Sequence, residues 1–249
     1  MQFSEAQASL ANTKLNTSLT DISAGTNQLF TLQDIKDAIN YGTKNAWNYK
    51  PWTFTEGKVS VTAPNPTTAY YAYPVNFEDE SIYLVVVNGT PWSGETKGKR
   101  NFADYMKWLS DFASDPSQIW TEYARQYYLN QNAYSIGQSV DLYGKLRAPT
   151  LSADGDLLPF SPTSDNYEDS GNEAIVILAY SFLLNSQKKK DTQGAMAAEK
   201  QGYALLDNVW KPIGERRAQK NSQNRPFFNT DDNYAVRRTR WNTNIGNFP

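Results

Sequence analysis

Apolar residues recur at helical spacing in four stretches of the chain and alternate at strand spacing between the first and third of them. The first stretch opens at Thr31, where Thr31 and Asp34 match a capping box and Phe30 can staple onto Ile35. Leu32, Ile35 and Ile39 make its narrow apolar stripe, which predicts a helix to about Trp47, closed off by Pro51. Residues 57–90 then change period. Lys58-Val59-Ser60-Val61 alternates, Tyr70 to Tyr73 is aromatic, and Ser81-Ile82-Tyr83-Leu84-Val85-Val86-Val87 is the strongest strand signal, with Asn88-Gly89 as turn chemistry after it. Helical spacing returns at residues 100–113, where Phe102, Tyr105, Leu109 and Phe112 line up and Asp115-Pro116 stops the run. Tyr123 to Leu129 and Ser139 to Gly144 read as short strands punctuated by Gly137 and Gly144, and Pro149 to Pro162 as loop.

The last two helices are the most apolar. Ser170 and Glu173 form a second capping-box pattern, and Ala174, Ile175, Ile177, Leu178, Phe182 and Leu184 behind it give a broad apolar face suited to a central position. Asp191 starts a long helix with a stripe of Tyr203, Leu206, Trp210 and Ile213, which Pro212 should kink or end. Gln187 to Lys190 would join the two as a helical hairpin. The expected fold is therefore α+β, mainly α. Residues 29–56 and 165–219 would form a helical bundle, and residues 57–164 an inserted β-rich lobe holding one helix. Residues 1–28, polar and poor in strong core formers, read as an N-terminal extension.

Residues 220–249 fit none of these patterns. They are Asn-rich, basic and aromatic, with no helical or strand period that could build a core, yet they carry more large rings than a free tail usually does. An extended C-terminal arm that orders against another protein is the economical reading. Arg225, Phe227, Phe228, Tyr234, Arg237, Arg238, Arg240 and Trp241 are its candidate docking residues.

Composition narrows the chemistry. Apolar residues are 39% of the chain and aromatics 14%, enough to bury a core, and the net charge of −2 argues against a body that binds polyanions. No run of about 18 apolar residues occurs, and Met1-Gln2-Phe3-Ser4-Glu5 lacks the basic and apolar regions of a signal peptide. Cysteine and histidine are both absent. That removes disulfides, thiolate nucleophiles, Ser-His-Asp triads, most zinc sites and the usual general base at neutral pH. No catalytic residue, metal ligand or cofactor is expected. Asp154-Gly155-Asp156 reads as an acidic turn, Glu78-Asp79-Glu80 and Asp231-Asp232 as solvated surface, and Lys188-Lys189-Lys190 as a solvated turn suited to a helix end. Gly94 and Gly98 beside Lys97, Lys99 and Arg100 match no phosphate-loop spacing. Trp47, Tyr49, Trp52 and Phe54 could stack on a sugar, but read better as packing between bundle and lobe.

The order of these parts resembles the head-to-tail connector (adaptor) proteins of tailed bacteriophages over roughly residues 30–217. The likeness runs from Thr31-Leu32-Gln33-Asp34-Ile35 through Tyr73-Pro74-Val75-Asn76-Phe77 to the strand ending in Val87-Asn88-Gly89. It continues with Tyr127-Tyr128-Leu129, Val140-Asp141-Leu142-Tyr143 and Arg147-Ala148-Pro149, and ends with Asn172 to Tyr180 and the long helix after Asp191 with Ala195 and Tyr203. The resemblance implies a helical-bundle subunit with an inserted lobe, assembled as a ring of twelve copies beneath the portal, with its C-terminal arm docked into portal subunits. It further implies a neck or tail protein below the ring, transiting DNA contacted without sequence specificity, no enzymatic activity, no membrane partner, and a place in the virion neck after assembly in the host cytoplasm. A tail terminator or a carbohydrate-binding virion protein is the alternative.

Overall fold

The computed structural model describes residues 1–25, 29–63, 70–93, 97–161 and 168–223. By contact density the chain divides into a unit of Met1–Lys211 and a second that begins at Pro212. Within the first unit two cores form, one between helices and one between sheets.

The helical core is organised around α5 (Glu168–Asn185). Its residues from Ala174 to Ala179 are all buried, so it is apolar around its circumference, as a helix enclosed on every side must be. Against it lies α3 (Leu32–Tyr49), which starts at the expected capping box: Thr31 accepts from the Asp34 N–H, and the Asp34 carboxylate accepts from the Thr31 N–H at 2.7 Å. Gly42 sets the approach of these two helices, since a Cβ there would stand 2.4 Å from the Ile175 carbonyl oxygen. The long α6 (Thr192–Gln223) begins where Asp191 accepts from the Gly194 N–H. At Gly202 a Cβ would meet Leu178 Cγ at 2.8 Å, so α6 also packs close to α5.

The sheet core joins two four-stranded sheets. The first has the order β1 (Glu56–Thr62), β8 (Ser139–Leu146), β3 (Phe77–Val87) and β4 (Thr90–Pro91), all antiparallel. Asn88 and Gly89, both at positive φ (48° and 75°), make the tight β3–β4 turn that this dipeptide favours. The second sheet has the order β2 (Tyr71–Ala72), β7 (Gln126–Leu129), β6 (Ile119–Tyr123) and β5 (Gly98–Lys99), with β5 parallel to β6. Phe77, Ile82, Val85, Val140 and Leu142 of the first sheet share one buried cluster with Tyr71, Trp120, Tyr127 and Leu129 of the second. The helix α4 (Phe102–Asp111) packs against β6.

This architecture corrects the expected one. About 47% of the described residues are helical and 22% strand, in two four-stranded sheets and six helices among them, so the fold is α+β and not a helical bundle bearing a β lobe. The helical stripes stood out in the sequence, whereas β2, β4 and β5 are two residues each and too short to show a period. Two helix boundaries also differ. The α5 helix already includes Glu168, so Ser170 lies inside it and does not cap it. The α6 helix runs through Pro212 to Gln223. A proline there removes one N–H donor without stopping the helix.

The N-terminal residues are part of the structure and not an appendage. Here α1 (Phe3–Ser9) runs into a wider turn at Leu10–Lys14, and the short α2 (Leu19–Ser23) follows. Phe3, Ala6 and Leu10, spaced three and four apart, are fully buried. The start of the chain is tied down by the Asp154–Asp156 turn, where Phe3 N–H donates to the Asp156 carbonyl at 2.8 Å and Ser4 N–H to that of Asp154 at 3.1 Å.

Candidate functional site

The eight candidate arm residues, Arg225, Phe227, Phe228, Tyr234, Arg237, Arg238, Arg240 and Trp241, all lie outside the described residues, as does Asp231-Asp232. The described residues show what the rest of the candidate chemistry does.

The charged residues around β3 form a buried polar clamp. Register shifts on β3 near Ile82, with Glu80 at φ 56°, leave backbone groups that the ladder to β8 does not satisfy. Side chains of the other sheet satisfy them. Ser81 N–H and Ile82 N–H donate to the Tyr73 hydroxyl at 2.8 and 3.1 Å, and that hydroxyl donates to Glu122 Oε2 at 3.0 Å. Lys99 Nζ donates to the Ile82 carbonyl at 3.0 Å and pairs with Glu122 Oε1. The Glu122 side chain is only 2% exposed, against 41% for Lys99. Burial, with the Glu122 charge adding to it and the hydrogen bond from Ser81 opposing it, pushes the Tyr73 phenol up to about 12. These hydrogen bonds hold the bulge, which is a structural use of the group.

Several other carboxylates are similarly occupied. Asp79 bridges Arg125 at 3.2 Å and Arg147 at 2.7 Å, and Glu78 pairs with Lys145 at 3.0 Å. Asp156 accepts from the Ser152 and Ala153 N–H groups, which lower its carboxyl below the usual range and complete the turn that holds the N-terminus. Lys188 pairs with Asp34. Among the described residues no group of three or more Asp and Glu is placed to hold a metal ion, and no helix there is long and apolar enough to cross a membrane.

Of the aromatic residues at 47–54, Trp47 and Trp52 are buried and Tyr49 and Phe54 are partly exposed. Trp52 is fully buried, donates its indole N–H to the Ala46 carbonyl at 2.7 Å, and meets Phe160 and Trp210 edge-on at 5.1 and 5.4 Å. Trp47 donates to the Leu146 carbonyl at 2.9 Å, tying α3 to the end of β8. The Trp47 and Trp52 rings, being buried, offer no open sugar-stacking face. Tyr49 instead stacks on Tyr203 at 4.6 Å, and its hydroxyl donates to Asp207 at 3.0 Å, where Lys50 also binds at 2.9 Å. Beside this group an open concavity of about 310 Å³ is lined by Asn48, Lys50, Glu56, Tyr83 and Lys145 among others. Both of its lysines already carry partners, Lys50 on Asp207 and Lys145 on Asn48 and Glu78.

A partly exposed strip of rings among the described residues was not singled out from the sequence. Phe102 of α4 stacks on Tyr123 at 4.3 Å and touches Tyr128 at 5.3 Å, and Tyr128 in turn meets Tyr70 at 6.0 Å. Tyr123 and Tyr70, at its two ends, are about half exposed. Alternation along β6 and β7 puts these rings on the face opposite Trp120 and Tyr127, a split that the sequence spacing contains but does not orient.

No family model matches this chain, and no curated protein matches it significantly.

Proposed function

We propose that this chain is a structural subunit of a tailed-bacteriophage virion. In this reading it is an adaptor that forms a ring, of twelve copies, between the portal vertex and the neck or tail, and lines part of the DNA channel. The observation that carries the reading is the contrast between body and C-terminus. Five of the chain's 24 Lys and Arg but only two of its 26 Asp and Glu fall in residues 220–249, so the remainder is acidic and the end is basic and aromatic. A basic, ring-rich arm following a 32-residue helix suits docking on a protein partner, with Arg237, Arg238, Arg240 and Trp241 as anchors. Identical arms around a ring add avidity without any new contact type. An acidic body suits a conduit, because like charge keeps passing DNA from adhering.

The order of elements along residues 30–217 supports the same reading. The paired sheets depart from the bundle that the resemblance implied, so the support comes from element order and arm chemistry rather than from the fold. Partners in this reading are other copies of the chain, the portal, a neck or tail protein below and DNA without sequence preference. The location is the virion neck after assembly in the host cytoplasm, and neither catalysis nor a cofactor is involved. The test is truncation after Gln223, which should leave subunit folding intact and abolish joining to the head. Normal attachment by the truncated chain would refute the arm's role.

A further inference from the structure

We draw no further inference here: the strongest candidate, the half-exposed strip of rings formed by Tyr123, Phe102, Tyr128 and Tyr70 where α4 packs on the second sheet, is an unpartnered apolar face and nothing in the structure shows what covers it.

Discussion

Replacing Lys99 with methionine tests the clamp that holds the two sheets in register. The substitution keeps most of the side-chain volume and removes the ammonium that pairs with Glu122 and donates to the Ile82 carbonyl. Glu122 is then left as a carboxylate 2% exposed, with only the Tyr73 hydroxyl and the Ile82 N–H facing it. Removing one partner of a buried pair costs about 3–5 kcal/mol, most of it from the stranded charge. The partial exposure of Lys99 admits some water to the site, so the lower end, about 3 kcal/mol, is expected here. Urea unfolding followed by tryptophan fluorescence reads this directly, because Lys99 Nζ lies 5.4 Å from the Trp120 ring. The midpoint should fall with an unchanged slope. Adding Glu122→Gln to Lys99→Met removes the stranded charge and should recover part of the loss. A single-variant loss under about 1 kcal/mol, or a double variant no better than Lys99→Met, would refute the reasoning.

Two further perturbations probe other parts of the account. Gly42→Ala places a Cβ 2.4 Å from the Ile175 carbonyl oxygen, a backbone atom that cannot swing away. Overpacking of about 1–3 kcal/mol should outweigh the roughly 1 kcal/mol gain in helix propensity and lower the thermal midpoint, while Gly155→Ala, where a Cβ meets nothing within 4 Å, should leave it unchanged. The hydrogen bond from Lys50, with that from Tyr49, holds the Asp207 carboxyl below its ordinary value of 3.8. Its folded pKa is thus below its unfolded one, so its contribution is present above about pH 4 and is lost as pH falls through the folded value. Asp207→Asn should flatten the acid limb of the stability profile by a few tenths of a kcal/mol, as befits a pair whose acid is half exposed. An unaltered acid limb would argue against the Lys50–Asp207 pair in solution.

The sequence made α3 and α6 legible because each carries its own apolar stripe and its own start signal. Thr31 and Asp191 sit where α3 and α6 begin, and Asn88-Gly89 turns where its chemistry says it should. What it hid was pairing. The aromatic run Tyr70 to Tyr73 marks β2 without giving its partner, and nothing local in Gly98-Lys99 announces a strand, because two-residue strands are defined by partners distant in sequence. The second sheet, and with it the departure from a helical bundle bearing a β lobe, depends on those partners. The burial of Phe3, Ala6 and Leu10 went unread for a related reason: the three are diluted by Ser, Gln and Asn, and partners distant in sequence, the Asp154–Asp156 turn and Ser161 among them, fix the segment. The Lys99–Glu122–Tyr73 clamp had no sequence signature either, since its three members come from separate strands and neighbouring loops. The family likeness rested on element order, which survives a change in how strands pair, and so it gave no warning of the second sheet.

Native mass measurement of the full-length chain mixed with portal rings tests the central claim most directly. The account predicts a single complex in which twelve copies of this 28.1 kDa subunit join one portal, and which is lost when residues 224–249 are removed. Six copies per complex, or no binding of the intact chain to the portal, would contradict it.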